Sequence, residues 1–377
     1  IFMTLILSIA VMVTLLLAIF IAIYWRDIEC VGEIPVPFFT FIAILFTSGL
    51  DVGLVMFPLV DFELYASEES YAFANPLAME FGFWGFLVWG FYFSTTFYFC
   101  VLEPRLKIFE LPLVKWVNDV VIIGTCAFTG FLFLQYLPDY IEGISNSLRY
   151  GLVAAVILLA GISSTHIRFV RVLSVSSTWL FFALIAGVWW SSEMGVTGLL
   201  GSMGNLGDYF TNLHRFVSPV TDYHQFYLYW WFAWSIMIGQ FVSRFVSGLK
   251  AWQLLIALLV VPSIPIAIWF SVLYYHFSTE LLIGAGWRWA MVLVGTVFVI
   301  NSLDSLIRLY TRNVGLTAER FGNFWYVVSN WCVLFSLVLL YQFTPLQIEW
   351  FGLAVIGIYV AVFVLIIRRR ESLSTGT

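Results

Sequence analysis

The sequence has 377 residues, of which 62% are hydrophobic, 19% aromatic and only 10% charged, and its mean hydropathy is +0.97. A soluble domain cannot cover its surface with so little charge, so this composition is typical of a membrane protein. The net charge of -5 argues against a basic nucleic-acid-binding face, and no polar stretch is long enough to enclose a separate soluble core.

Long runs with almost no charged residues indicate membrane-spanning helices. A helix needs about 20 predominantly apolar residues to cross about 30 Å of hydrocarbon, and most of the runs reach this length. The connections between them are too short to form further domains. The sequence therefore predicts an all-α polytopic membrane protein with about 11 spans. In chain order the runs are 1–25, 34–60, 81–102, 120–138, 150–167, 172–192, 223–243, 251–275, 286–307, 322–343 and 350–367.

One stretch between the spans is too polar to cross a membrane. From 194 to 225 the chain mixes glycine and serine with scattered polar residues around Asp208 and Arg215. This composition predicts an interfacial helix near 196–217.

The Lys and Arg residues determine the predicted orientation. They concentrate at every second span end, whereas acidic residues such as Asp61, Asp139 and Glu280 concentrate at the opposite ends. Because cytoplasmic loops carry an excess of Lys and Arg, the basic ends and the tail 368–377 are expected in the cytoplasm. An odd number of spans then puts residue 1 outside. Since the chain begins with Ile rather than Met, we expect that its true start and one whole helix are missing.

Neither cysteine nor histidine follows a pattern that would hold a metal or a cofactor. The 4 Cys and 4 His residues are spread over separate spans and loops. A free Cys in an apolar span behaves as a small hydrophobe, and a haem or metal would need facing ligands. Paired carboxylates or an activated nucleophile do not stand out either. We therefore predict no catalytic residues, no metal site, no cofactor and no enzymatic activity.

The span 34–60 carries a carboxylate between two glycines, in the run Ser-Gly-Leu-Asp-Val-Gly at 48–53. Glycine at this spacing weakens a helix and exposes backbone to a ligand, although in membrane helices small residues more often serve close packing. An ionised carboxylate at mid-bilayer costs about 2.5 to 3.5 kcal/mol, so Asp51 is expected to face a polar cavity or a cationic partner. Asp51 is therefore a candidate ligand-binding residue, with a purely structural role as the alternative.

Two spans carry clusters of tryptophan and tyrosine. Tryptophan usually marks the membrane interface, but several of these rings fall well inside their uncharged runs. Aromatic rings gathered at membrane depth are what a quaternary ammonium cage requires, because each desolvated cation–π contact contributes up to about 2 kcal/mol. The candidate rings are Trp84, Trp89 and Tyr92 in the first span and Trp230, Trp231 and Trp234 in the second.

These residues resemble those of the betaine/choline/carnitine transporter family. The run 223–277, with its tryptophans and the following Gly239, Phe241, Arg244 and Gly248, is similar to the signature helix of that family. The run 41–57 resembles its glycine-rich helix, and the first aromatic cluster resembles its aromatic box. The run 298–305 is similar to its Thr-Ser-Ala-Asp-Ser stretch. The landmarks follow the family's order, so the chain resembles a divergent and N-terminally shortened member.

The resemblance implies a core of ten helices built as two inverted five-helix repeats, with the substrate site between the repeats near mid-membrane. Residues 34–367 would form this core, and residues 1–33 a peripheral transmembrane helix. It also implies that the protein is a homotrimer. A bacterial inner membrane is the expected location.

Specific roles follow from the resemblance residue by residue. Trp84, Trp89, Tyr92 and Trp231 would line the substrate cage, with Trp230 and Trp234 gating its outer and inner sides. A sodium ion would be bound by the backbone carbonyls of Thr47, Leu50 and Phe298 and by the side chains of Asn301 and Ser302, since oxygen ligands suit a hard cation.

The sequence departs from the family pattern mainly around the ion site. Asp51 replaces a glycine, Asn301 replaces a threonine, and the run 57–61 replaces a Glu-Pro pair. These changes leave the aromatic cage intact. An ionised Asp51 would repel a zwitterion's carboxylate, so choline-like or trimethylammonium cations are expected to bind better than betaine or carnitine. The alternative role for Asp51 is proton coupling.

The sequence therefore favours a secondary active transporter of a small methylated-ammonium compound of the choline, trimethylamine, betaine or carnitine type. The coupling ion would be sodium or a proton. The alternative is a transport-inactive homologue that serves as a structural or sensory subunit of a larger membrane complex. In both cases the expected partners are the lipid bilayer and an ammonium compound, and no nucleic acid.

Overall fold

The structure, a computed structural model, describes residues 2–50 and 52–368. Asp51 and nearly all of the predicted basic tail therefore lie outside the described residues. The described chain is almost entirely helical. Its α-helices are α1 Phe2–Tyr24, α2 Phe38–Gly49, α3 Val52–Met56, α4 Pro58–Ser67, α5 Pro76–Trp84, α6 Trp89–Phe97, α7 Glu103–Leu106, α8 Pro112–Tyr140, α9 Asn146–Ser163, α10 Ile167–Ser191, α11 Val196–Gly204, α12 Gly207–Thr211, α13 Asp222–Val242, α14 Ala251–Ser278, α15 Ala285–Val314, α16 Ala318–Phe321, α17 Asn323–Phe343 and α18 Ile348–Arg368.

The helices match the predicted spans in order. Among the described residues, 9 helical segments are long and apolar enough to cross a membrane, with Pro76–Leu106 counted as one segment. The two remaining predicted spans are the interrupted segment α2–α4 and the helix α13, which has 21 residues. The predicted fold class, a polytopic helical membrane protein, is therefore confirmed. The predicted interfacial helix near 196–217 is divided into short helices, α11, α12 and the 3₁₀ turn Leu213–Val217.

Helix packing follows the symmetry of two five-helix repeats. The first repeat contains α2–α4, α5–α7, α8, α9 and α10, and the second contains α13, α14, α15, α17 and α18. The central helices of the two repeats, α8 and α15, pack against each other. In this order α8 corresponds to α15, α9 to α17, and α10 to α18. The contact between α8 and α17 therefore has its counterpart between α15 and α9, and the contact between α2 and α10 has its counterpart between α13 and α18. All four contacts are present. Since each repeat has an odd number of spans, the two repeats have opposite orientations in the membrane.

Two of the spans are interrupted. Helix α2 ends where Leu50 adopts an extended conformation, with φ -125° and ψ 154°. Helix α5 ends before Gly85. The next two backbone N–H groups donate to side chains of other elements, Phe86 N to Ser263 Oγ at 2.9 Å and Leu87 N to Tyr209 Oη at 3.2 Å. Such partners make an interruption tolerable at membrane depth. Helix α13, which corresponds to α2–α4 in the second repeat, is continuous over its 21 residues.

A short strand pair ties the two repeats together at one end of the molecule. Strand β1, Glu29–Val31, pairs antiparallel with β2, Ser247–Lys250. The pairing continues as Gly32 N donates to Val246 O at 2.8 Å and Ile34 N donates to Arg244 O at 2.7 Å. The segment before α2 is thereby fixed to the segment after α13. We call this the arginine-rich end, and the opposite end, where α4, α8 and α14 finish, the acidic end.

A glycine in α18 permits close packing on α13. A Cβ atom added at Gly352 would lie 2.4 Å from the Tyr229 carbonyl oxygen, whereas nothing lies within 4 Å of a Cβ added at Gly357. Gly352→Ala is therefore expected to destabilise the protein by about 1 to 3 kcal/mol, the usual cost of overpacking. Gly357→Ala on the same helix should be neutral or slightly stabilising. Thermal unfolding in detergent measures both, and equal melting temperatures for the two variants would contradict the prediction.

Candidate functional site

The six predicted aromatic residues form one buried cluster between α5, α6 and α13. None of them is more than 2% exposed. The Trp231 ring is the centre of the group: its centroid lies 5.3 Å from that of Trp84, 5.4 Å from Trp230 and 6.1 Å from Tyr92. Trp89 joins through Tyr92 at 5.0 Å, and Trp234 through Trp230 at 6.3 Å. We refer to Trp84, Trp89, Tyr92, Trp230, Trp231 and Trp234 as the aromatic cluster.

The interruption after α5 orients two of these rings. The indole Nε1 of Trp231 donates to the Phe83 carbonyl at 2.7 Å, and that of Trp89 donates to the Trp84 carbonyl at 3.0 Å. Both carbonyls lie in the last turn of α5, where no following helical N–H is available to bond them. The two indole rings are therefore oriented by hydrogen bonds to carbonyl groups that have no helical partner because α5 ends here.

The interruption of α2 meets the aromatic cluster at Gly49. The Gly49 carbonyl accepts hydrogen bonds from Tyr92 Oη at 2.8 Å and from Trp234 Nε1 at 3.0 Å. A Cβ atom at this position would lie 3.2 Å from the Tyr92 ring and 3.3 Å from the Trp89 ring. Glycine favours this close approach of the backbone to the rings. The aromatic cluster is thus joined to the end of α2 by tertiary contacts, which the local sequence around Gly49 or around the aromatic residues does not predict.

Trp230 and Trp234 have different neighbours in the aromatic cluster. Trp230 faces the acidic end, with Phe57, Phe128 and Phe226 as neighbours at centroid distances of 6.4, 5.9 and 6.0 Å. Trp234 is bonded to the break in α2. The gating roles of both residues stay predictions.

Three of the five predicted ion ligands come together at the same break. Ser302 Oγ on α15 lies 2.8 Å from the Leu50 carbonyl oxygen and 3.3 Å from that of Thr47, and donates to them. One helical turn further along α15, Ser305 Oγ lies 2.8 Å from Ser48 Oγ. A polar seam therefore joins α15 to the end of α2, and its oxygen atoms are of the kind that bind a hard cation.

Of the other two predicted ion ligands, the Asn301 side chain is directed away from this seam. Asn301 Oδ1 accepts from Ser174 Oγ on α10 at 3.3 Å, and its Nδ2 is buried without a hydrogen-bond partner among the described residues. The Phe298 ring packs on Phe46 and Phe181, at 6.2 and 5.6 Å. The amide oxygen of Asn301 is therefore directed at α10, which departs from the ligand set that the resemblance implied.

Two buried carboxyl groups, which the sequence did not single out as site residues, lie on the acidic side of the aromatic cluster. Asp61 on α4 is 3% exposed, and its carboxyl oxygens accept from Tyr223 Oη at 3.0 and 3.1 Å and from Tyr227 Oη at 3.3 Å. Glu80 on α5 is fully buried, and neither of its oxygens has a partner within hydrogen-bond distance among the described residues. Tyr65 and Trp84 provide the polar groups nearest to Glu80. We call Asp61 and Glu80 the acidic pair.

At the arginine-rich end, one carboxylate links both repeats. Glu33, just before α2, lies 2.9 Å from Arg312 on α15 and 3.4 Å from Arg244 after α13. Partial burial raises the pKa of Glu33, but the hydrogen bonds and positive charges of Arg312 and Arg244 outweigh that effect and hold the pKa below its usual range. The network reinforces the strand pair that closes this end.

The lowered pKa of Glu33 predicts a pH-dependent contribution to stability. Because the folded protein binds this proton less readily than the unfolded chain, the contribution is complete above the unfolded pKa of about 4.3 and disappears as the pH falls through the folded value. Glu33→Gln should therefore be less stable than the parent at neutral pH, by about 0.2 to 1 kcal/mol per exposed pair, and equally stable in acid. Melting temperatures across this pH range test it, with Glu319→Gln as a control at the same end; a difference that persists in acid would contradict it.

Comparison with known proteins gives distant relatives and a shared fold. No family model matches the sequence. An uncharacterized transporter of Haemophilus influenzae is 24% identical over 279 residues, which are 62% of this chain and 41% of that protein. A glycine betaine/proline/choline transporter of Vibrio parahaemolyticus is 27% identical over 128 residues, 32% of this chain and 22% of its own length. The chain thus spans less than half the length of these curated relatives.

A solved structure agrees over nearly the whole chain. A sodium-coupled sialic acid symporter in its substrate-bound outward-open state superposes with a TM-score of 0.50 and 12% identity, covering 95% of this chain and 86% of the symporter. At this identity the likeness concerns the fold alone. The chain therefore has the inverted-repeat fold of a sodium-coupled symporter, in agreement with the packing of its two repeats.

Proposed function

We propose that the chain is a secondary active transporter of a small methylated-ammonium compound, of the choline, trimethylamine, betaine or carnitine type. The observation that carries this proposal is the aromatic cluster, whose 6 buried residues converge where α2 and α5 are interrupted. A desolvated quaternary ammonium group is bound best by several ring faces with no competing water. The distant relationship to a glycine betaine/proline/choline transporter supports the same substrate class.

Substrate binding requires that the rings move apart. Trp231 packs stacked on Trp230 and edge-on against Trp84, with ring centroids only 5.4 and 5.3 Å apart. These distances describe rings in mutual contact, so the cluster is closed here. An ammonium ligand would replace ring–ring contacts by cation–π contacts, and it shifts the population toward whichever arrangement offers it more of them.

The contacts at the arginine-rich end indicate which movement the transport cycle requires. There the pairing of β1 with β2 and the Glu33 network join the start of the first repeat to the second. Opening a path on that side requires these contacts to break while α2 and α13 rock relative to α8 and α15. Alternating access in inverted-repeat transporters works by such a movement around a fixed site.

Uptake and binding measurements test the proposal directly. Purified protein in liposomes should accumulate radiolabelled choline or a related compound when sodium or proton gradients are imposed, and should bind it in detergent. Empty liposomes and protein bearing Trp231→Ala provide the controls. If choline, betaine, carnitine and trimethylamine neither bind nor accumulate, the transport-inactive subunit of a larger membrane complex becomes the better account.

Sodium is expected to have a weak effect or none on uptake. The carbonyls of Thr47 and Leu50 are bonded by Ser302, and Asn301, which replaces the family's threonine, is directed at α10. A sodium ion would have to displace the Ser302 hydrogen bonds and would still lack the threonine hydroxyl. Uptake at constant membrane potential with sodium replaced by a larger organic cation measures this. A steep rise with sodium that is lost in Ser302→Ala would defeat the prediction.

A further inference from the structure

Among the described residues, no cationic side chain forms an ion pair with either carboxyl group of the acidic pair. Both carboxyl groups are at most 3% exposed, and Glu80 has no hydrogen-bond partner among the described residues. Placing an unpaired carboxylate in a low-dielectric interior is far more costly than placing a neutral carboxylic acid there. Glu80 also lies in the field of Asp61, so the two groups oppose each other's ionisation. At least one of them therefore carries a proton in this closed arrangement.

The surroundings of the pair offer hydroxyl groups and further negative charge. Asp139 on α8 adds an acidic group that faces Asp61. Within the part of the chain that the structure describes, the basic groups of this region are Arg149, which faces Asp139, and His276 and Arg288, which line the same cavity as Asp139. The tyrosines that face the pair are Tyr65 on α4, Tyr71 in the following turn, Tyr136 and Tyr140 on α8, and Tyr223 and Tyr227 on α13.

A cavity at the acidic end lies beside the start of α4, the helix that carries Asp61. It has a volume of about 380 Å³ and is lined on one side by Leu59 and Val60, directly before Asp61, and on the other by Asp139 and Tyr140. Its walls are mainly apolar, but its size and the side chains of Asp139, His276, Glu280 and Arg288 allow it to hold waters. Asp61 directly follows Val60, which lines the cavity, whereas Glu80 lies next to Trp84.

The Tyr227 side chain contacts both the acidic pair and the aromatic cluster. Tyr227 donates its hydroxyl to Asp61 at 3.3 Å, and its ring centroid lies 5.7 Å from those of both Trp84 and Trp230. An ionised Asp61 accepts this hydrogen bond more strongly than a protonated one. A change in the charge of Asp61 therefore acts on a side chain that packs against the aromatic cluster.

From this juxtaposition we propose that Asp61 and Glu80 form a proton-binding site that communicates with the aromatic cluster through Tyr227, and that a cation in the cluster displaces the proton. The carboxylic acid transfers its proton to a water of the cavity at the acidic end, and the carboxylate that remains faces the positive charge of the ligand. Charge is conserved, because one cation replaces another. This exchange rests on the proposed function, whereas the proton site itself does not.

Infrared spectroscopy tests the proton site without any ligand. The C=O stretch of a buried protonated carboxyl is separate from that of a carboxylate, so the parent in nanodiscs should show such a band at neutral pH. Glu80→Gln should remove it or reduce it by about half, while Glu63→Gln, an exposed acid on the helix that carries Asp61, should leave it unchanged. The site is disproved if the parent has no such band, or if the band survives unchanged in both Asp61→Asn and Glu80→Gln.

Ligand binding tests the exchange. If one proton leaves as the cation binds, the affinity for choline should rise by up to about tenfold per pH unit from about pH 5 to about pH 8. Asp61→Asn and Glu80→Gln should flatten this dependence, and Tyr227→Phe, which keeps the ring, should weaken it. Size-exclusion profiles identify any variant that fails to fold, in which case the Tyr227→Phe and parent data decide.

The two experiments separate the possible failures. A carboxyl band that disappears in Glu80→Gln while no ammonium compound binds would overturn the proposed function and leave the proton site standing. Choline binding that is independent of pH would overturn the exchange. If, in addition, the carboxyl band is unchanged in both Asp61→Asn and Glu80→Gln, the proton site is also overturned, while the proposed function stands.

Discussion

Trp231→Ala and Trp89→Ala are each expected to abolish measurable binding of the methylated-ammonium ligand. A desolvated cation–π contact contributes about 2 kcal/mol or more, which corresponds to about a 30-fold loss of affinity. The loss should be larger for Trp231, because its ring contacts Trp84, Trp230 and Tyr92. Its removal therefore takes away a ring that Trp84, Trp230 and Tyr92 all contact. Equilibrium binding of radiolabelled ligand to purified protein provides the measurement.

A matched control separates loss of the cage from loss of the fold. Trp269 is also fully buried, and its indole also donates to the main chain of the interrupted segment, to Leu54 O at 3.0 Å, but its ring packs on Phe181. Trp269→Ala should lower the melting temperature as much as the cluster variants and leave the affinity within a fewfold of the parent. Unchanged affinity in both Trp231→Ala and Trp89→Ala would show that the cage is misplaced.

The spans and the aromatic cluster were predictable for different reasons. Membrane crossing imposes length and apolarity on each helix separately, so the runs alone locate them. The meeting of Trp84 with Trp230 and Trp231 depends on how distant helices pack, which no local pattern encodes. It was anticipated through the resemblance to a transporter family. The contacts of Gly49 with Tyr92 and Trp234 then follow from the same packing.

The acidic pair was not predicted as a site because its burial depends on where α5 begins. An acid just before an uncharged run ordinarily lies at the membrane surface, so Glu80 was left out of the span 81–102. In the structure α5 begins at Pro76, after Asn75, whose side chain accepts from Ala78 N at 3.0 Å. Proline in the first turn and an asparagine cap are the usual start of a helix. Glu80 is consequently carried into the bundle.

The strand pair and the second interruption were missed because short-range signals were weak. Strands β1 and β2 contain few residues and few of the β-branched and aromatic types that strands prefer. The break at Gly85 lies among aromatic residues that predict a continuous apolar helix. It depends on the hydroxyls of Ser263 and Tyr209, which belong to other elements. Tertiary partners of this kind cannot be inferred from spacing.

Arg308→Met is expected to destabilise the protein by about 3 to 5 kcal/mol, because it leaves a buried carboxylate without its partner. Arg308 Nε and Nη2 each lie 3.0 Å from an oxygen of Asp304, one turn earlier on α15, and the two side chains are 8% and 0% exposed. Nη2 also donates to the carbonyls of Ser163 at 2.6 Å and His166 at 2.7 Å, where α9 ends and α10 begins. The guanidinium therefore compensates Asp304 and completes the end of another helix.

A double-mutant cycle identifies which of these two functions dominates. In Asp304→Asn combined with Arg308→Met neither side chain of the pair is charged, so most of the lost stability should return. The stability that does not return measures the loss of the hydrogen bonds to the two helix-end carbonyls. Arg308→Lys keeps the charge but cannot bond both carboxyl oxygens and the carbonyls together, so it should lie between the parent and Arg308→Met. Melting temperatures in one detergent give the coupling energy. If the double variant is as unstable as the two single changes added together, Asp304 and Arg308 act independently and the buried pair is not what joins α15 to α9.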